Sequence, residues 1–198
     1  LPRLPAFMAQ HPGLTLEVSC TDRQVDLLRE GFDCVLRIGG LGDLDLVARP
    51  LGQLAVVNCA SPAYLQRYGT PASLADLRGH QLVHYVQNLG TRSAGFEYRD
   101  GELTRFVEMS GAITANNTDA YESAGLAGLG IIQAPWIGVR DYLDDGRLQA
   151  LLPQHVPEAM PVSLLYARQR YLPPRVRLFM DWLADLLAEQ LAPVAGAG

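Results

Sequence analysis

The feature that most constrains this chain is a change of period within residues 21–40, TDRQVDLLREGFDCVLRIGG. Val25, Leu27 and Leu28 place an apolar face on a short helix, and Gly31 suits the left-handed turn that ends one. Thr21 followed by Gln24 matches a capping box, so the spacing predicts a helix starting at Thr21. Phe32, Cys34, Val35, Leu36 and Ile38 then form an almost continuous apolar run, the pattern of a strand covered on both faces. The run stops at Gly39-Gly40, where a backbone without side chains lets a ligand approach closely. A helix feeding a buried strand is a building unit of α/β folds, whose ligands bind beyond the carboxyl ends of strands. The search for a site therefore starts at this strand end.

The remaining segments continue the alternation. Leu4 to Gln10 reads as an amphipathic helix closed by His11-Pro12-Gly13, and LTLEVS, 14–19, alternates as a strand. Two strand-like runs fill 46–60, and Ser61-Pro62 opens a helix that ends at Gly69. After Pro71 short strands and turns dominate: 82–86, 96–98, 103–107 and 111–114, with a turn at Asp100-Gly101. Asn116, Asn117 and Thr118 offer N-caps for a helix to Leu129, followed by a strand at Ile131-Ile132 stopped by Pro135. Trp136 to Leu143 reads as a helix, 148–152 and 162–167 as strands, and Pro173-Pro174 starts a last helix with apolar residues every three to four positions. The final APVAGAG has no pattern and reads as a frayed end. The first and last segments share one texture, and the hairpin-rich middle has another. Two lobes with two chain crossings, near Cys59 and Ser163, are the economical arrangement.

Composition narrows the function classes. A formal charge of −5 argues against direct nucleic-acid binding, which needs clustered cations. All 16 basic residues are arginines, so no Schiff-base or Walker-type lysine is available. No apolar run approaches the roughly 18–20 residues of a membrane span, and LPRLPAFMAQ lacks a signal pattern. Cys20, Cys34 and Cys59 have no CxxC spacing; their odd number points to a reducing, cytoplasmic setting and their contexts to buried spectators. The four histidines are scattered, so no metal site is expected, and no GxSxG elbow or acid–base pair suggests an enzyme. No cofactor is expected.

Several motifs together resemble one family. Asp26-Leu27-Leu28-Arg29-Glu30-Gly31-Phe32-Asp33-Cys34-Val35-Leu36-Arg37-Ile38-Gly39 is followed by Ala60-Ser61-Pro62-Ala63-Tyr64-Leu65 and by Leu74-Ala75-Asp76-Leu77-Arg78-Gly79-His80. Ala127-Gly128-Leu129-Gly130-Ile131, Gly146-Arg147-Leu148 and Pro174-Arg175-Val176-Arg177-Leu178-Phe179 come after them. In this order, over nearly the whole chain, they resemble the C-terminal effector-binding domain of LysR-type transcriptional regulators. The resemblance implies a two-lobed, periplasmic-binding-protein-like (type 2) α/β fold, two Rossmann-like subdomains joined by two crossing strands. Subdomain I would comprise 1–59 and 164–198, and subdomain II 60–163. It also implies a small anionic or aromatic effector in the inter-lobe cleft and a homodimer or dimer of dimers. DNA would be met only through a winged helix-turn-helix and linker helix that this chain lacks. An extracytoplasmic solute-binding protein of a transporter shares the fold and stands as the alternative.

Within that frame ten residues are effector-binding candidates. Thr21 offers a hydroxyl at a helix start, either as ligand contact or simply as a cap. Arg37, Ile38 and Gly39 end the central strand; Arg37 could hold a carboxylate or pair with Asp43 or Asp45. Asn116, Asn117 and Thr118 form the helix start facing them from the other lobe, and Gln133 and Pro135 end its matching strand. Tyr85, with His84 beside it, lies on the first strand of the second lobe and could line the pocket.

Overall fold

A computed structural model describes residues 2–23, 25–41, 46–168 and 172–192. The capping partner Gln24, the acids Asp43 and Asp45 and residues 193–198 lie outside the described residues, while Ala192, read as the start of a frayed end, is bridged to Gln53. In chain order the elements are α1 (Leu4–Gln10), α2 (Leu27–Glu30), β1 (Val35–Ile38), β2 (Leu46–Leu54), β3 (Val56–Ala60) and α3 (Pro62–Tyr68). A 3-10 turn at Asp76–Gly79 leads to β4 (His84–Tyr85), β5 (Phe96–Asp100), β6 (Leu103–Val107), β7 (Thr114–Ala115) and α4 (Thr118–Leu126). The chain ends with β8 (Ile132–Pro135), α5 (Trp136–Asp144), β9 (Gln149–Leu151), β10 (Met160–Ala167) and α6 (Pro174–Ala188).

Two sheets form two lobes. In the first, β10 is central, antiparallel to β1 on one side and to β2 on the other. Successive residues of a strand face opposite ways, so β10 seeds two small cores. Leu165 packs with Leu27, and Leu164 packs with Val176 and Met180 of α6. Phe7 of α1 adds its ring to Phe179 and Trp182, at 5.7 and 4.6 Å between centroids. The second sheet runs β9–β3–β8, and the Leu82–Ile131 bridge carries it on to β4 and the parallel β7. Its faces are covered by α3 on one side, and by α4 and α5 on the other, around Ile131, Ile132, Val139 and Leu148.

The chain passes between the sheets twice. It leaves the first at Leu54 and enters the second at Val56; it returns between Leu151 and Met160. The passages thus fall a few residues before Cys59 and Ser163. Residues 56–59 pair within the second sheet, and 160–163 within the first, because those are the ladders that satisfy their backbone.

Two sequence expectations fail in the first lobe. LTLEVS forms no ladder among the described residues, and Val18 is 56% exposed. Alternation alone makes no strand where no neighbour accepts its hydrogen bonds. Likewise β1 is not covered on both faces. Among the described residues it pairs only with β10, and Leu36 and Ile38 remain 38% and 40% exposed.

Candidate functional site

The site is best built from residues 21–30. α2 does not begin at Thr21. It begins after Asp26, whose carboxylate accepts from the backbone N–H of Arg29 at 3.1 Å, while Glu30 accepts from the N–H of Asp26 at 3.2 Å. Asp is a stronger cap than Thr, and the Asp–Glu pair satisfies donors at both ends of the first turn. Thr21 instead makes a local turn, its Oγ1 accepting from the N–H of Arg23 at 3.3 Å. Arg23 in turn donates twice to Glu30, at 3.0 and 2.7 Å, and this pairing holds the Glu30 carboxyl below its ordinary range. Gly31 closes the helix at φ 75°, the left-handed conformation expected of it.

These ties leave Asp22 projecting toward the second lobe. One of its oxygens, Oδ2, accepts from both the backbone N–H and the Oγ1 hydroxyl of Thr118, the latter at 2.8 Å. Thr118 is the first residue of α4, and Asn117 caps the same helix by accepting from the N–H of Ala120 at 3.1 Å. A helix N-terminus carries unsatisfied N–H groups and a partial positive charge, and here a carboxylate from the other lobe meets it. Tyr85 flanks the junction: the Asp22 charge acts on its hydroxyl, and its ring stands edge-on to Tyr121 at 5.4 Å. Burial first, then the Asp22 charge, raises the Tyr85 hydroxyl above its ordinary range, while Arg37 draws it down. Nε of Arg37 is buried without a hydrogen-bond partner among the described residues.

Thr118 and Asn117 thus share the α4 start, and Tyr85 lies within electrostatic reach of Asp22 and Arg37. The other candidates divide. Gly39 follows β1 at φ 94° and donates its N–H to the carbonyl of Pro161 at 2.8 Å. Ile38 alternates with Arg37 along β1, so its half-exposed side chain points to the opposite face. Asn116 is exposed just before the cap, and Pro135 ends β8 where α5 begins. Gln133 is spent inside its own lobe: Nε2 donates to Asn58 Oδ1 at 2.8 Å and to the Glu97 carbonyl at 2.7 Å, and Oε1 accepts from the Glu97 N–H at 2.8 Å. Its amide stitches β5 to the sheet.

Asp22 is the junction residue that the sequence reading passed over. Its partner lies 96 positions away, and no local spacing signals such a contact. Asn58 was also missed. It is fully buried, and its Nδ2 reaches the carbonyls of Leu151, Leu152 and His155 at 3.4, 3.3 and 2.8 Å, pinning the return passage between the lobes.

His84 alternates with Tyr85 on β4 and lines a different hollow, a cavity of about 230 Å³ shared with Thr91, Ser93 and Thr114. It is half-buried, and its Nδ1 has no hydrogen-bond partner among the described residues. The cysteines also separate. Cys34 is half-buried and Cys59 buried, and desolvation pushes their thiols up to about 11 and about 12. Cys20 is exposed, contrary to the expectation of three buried spectators, because the segment that holds it joins no sheet among the described residues. Among the described residues no cluster of three or more His, Cys, Asp or Glu side chains could hold a metal ion, and no helix is long and apolar enough to cross a membrane.

Comparison with known proteins gives a consistent picture. The family model for the LysR substrate binding domain matches residues 1–188. The HTH-type transcriptional regulator YhjC of Escherichia coli is 48% identical over 191 residues, which is 96% of this chain and 64% of that protein. An HTH-type transcriptional repressor of Pseudomonas aeruginosa is 35% identical, over 98% of this chain and 62% of its own length. The chain thus spans a little under two thirds of these relatives. Among solved structures, the regulatory domain of CrgA, a LysR-type transcriptional regulator from Neisseria meningitidis, superposes with a TM-score of 0.81 at 26% identity, covering 94% of this chain and 90% of that one.

Proposed function

Because the chain belongs to the LysR substrate-binding domain family, the regulatory part of LysR-type transcriptional regulators, we propose that it senses a small organic effector in the cleft between its lobes. What supports this reading is that Asp22 of the first lobe meets the start of α4 at Thr118, beside its cap Asn117, with Tyr85 within electrostatic reach of both Asp22 and Arg37. Arg37 supplies a guanidinium with an unused buried donor, suited to a carboxylate. Tyr85, 36% exposed, supplies a ring face suited to an aromatic group. The effector class is thus an anionic or aromatic small molecule, with Thr21, Gly39 and Asn116 at the margin of the same site. Gln133, Ile38 and Pro135 are left as lining at most, for the reasons above.

In this reading the lobes are units of 1–59 with 164–198 and of 60–163, adjusted to the observed passages at 54–56 and 151–160. Effector binding shifts their relative angle and hence the packing of a homodimer or dimer of dimers, worth about 1–3 kcal/mol of coupling. The output is DNA binding by a separate N-terminal domain in the cytoplasm. The chain itself performs no catalysis. Family membership takes the place of the solute-binding alternative.

A thermal-shift screen over organic acids and aromatic metabolites tests this. A true effector at about one hundred times its Kd adds about 2.7 kcal/mol, or roughly 5–10 °C of Tm for a chain of this size. Arg37→Ala removes most of that shift for carboxylates and leaves the unliganded Tm nearly unchanged. A shift that survives in both Arg37→Ala and Tyr85→Ala would move the site elsewhere.

A further inference from the structure

We propose that Asp22 is a built-in latch, a carboxylate of the first lobe that holds the second lobe by the N-terminus of α4 when no effector is bound. The contact is double: one carboxylate oxygen takes both donors of Thr118, backbone and hydroxyl. Its two ends belong to different sheets, 96 positions apart, so the bond spans the cleft and does not merely decorate one lobe.

The flanking residues are committed elsewhere. Arg23, the nearest cation in sequence, is held bidentate by Glu30, and Asp26 and Glu30 cap α2. Asp22 is left as the acid of this segment that faces outward from its own lobe. Hydrogen bonds to a charged acceptor are about twice as strong as neutral ones, and the α4 dipole adds to them. A few such bonds suffice to bias two lobes that are joined only by two short passages. Opening the cleft therefore requires Thr118 to surrender its carboxylate partner.

Hydrogen exchange and small-angle scattering on the 198-residue chain, without any added ligand, test the latch. In Asp22→Ala the backbone amides of 118–121 exchange about tenfold faster or more, and the radius of gyration rises. In Asp26→Ala, which frays α2 within its own lobe, neither changes. Faster exchange at 118–121 with unchanged scattering would overturn the proposal, reducing Asp22 to a local helix cap; so would no change in either. If Asp22→Ala fails to fold, Asp22→Asn and Thr118→Val decide by the same two readouts, with smaller changes in the same direction. Because no effector is present, the latch can fail while the sensing role stands, and the reverse.

Discussion

The two lobes bury their sheets in different ways. In the second lobe β3 is paired on both sides and nearly all of its side chains are buried, with Ile131, Ile132, Val139 and Leu148 at 0–1% exposure around it. In the first, the edge strand β1 alternates between half-buried and exposed, and its helix α2 is a single turn of four residues. Every buried methylene adds about 0.8 kcal/mol, so the cooperative core sits in the second lobe. The first lobe is held by β10, α6 and α1, and by polar ties at the surface. For the proposed sensing role, the asymmetry pairs a well-buried second lobe with a first lobe whose segment 21–30 rests on surface polar ties.

The sharpest way to break the comparison is to remove equal bulk from each sheet. Ile132→Ala, at a site with 0% exposure and packed against Gly125, is expected to lower stability by about 2–5 kcal/mol in urea unfolding. Leu36→Ala on β1, 38% exposed, is expected to cost less than about 1 kcal/mol. Equal losses would mean that β1 carries as much of the core as β8.

A second test addresses what holds the lobes in register. Asn58→Ala strips the amide that reaches three carbonyls of the return passage and leaves Gln133 one acceptor short. Buried polar groups deprived of partners cost about 1–3 kcal/mol. The expected signature is a stability loss of that size in urea, with faster exchange around 151–156. Loss of stability without faster exchange there would assign Asn58 to the core alone and not to the passage.

What could be read in the sequence follows the same divide between local and distant causes. Ser61 with Pro62, Asn117 and Gly31 each announce a helix boundary through chemistry contained within four residues, and the structure has a boundary at each. The apolar period of the last helix placed α6, with Val176 and Met180 buried. LTLEVS misled because a strand needs a neighbour as well as a pattern. Thr21 misled because Asp26, five residues on, is the better cap and pairs with Glu30. At the site, Asn117 and Thr118 were legible as a helix start. Asp22 was not, since its partner is chosen by how two lobes meet. Gln133 looked available for a ligand because its strand end was right; Asn58 and Glu97, which claim its amide, lie 75 and 36 positions away.

The smallest expected effect concerns pH and again separates the lobes. His80, 5% exposed, faces the Tyr64 hydroxyl through Nδ1 at 3.1 Å in the core of the second lobe. Burial lowers its pKa, with the nearby Asp76 charge opposing. The folded state thus binds this proton less readily than the unfolded chain, whose histidines titrate near about 6.5. Stability contributed by neutral His80 is present above that pH and is lost as pH falls through it, because the unfolded state then takes up more protons. Urea midpoints measured from pH 7.5 to 5.5 should decline for the wild type and decline less for His80→Gln, which keeps a polar contact without the titration. His11, whose ring meets that of Phe7 at 4.8 Å and a tilt of 54° in the first lobe, provides the contrast. If His11→Gln flattened the decline as much as His80→Gln, the buried histidine of the second lobe would not be its source.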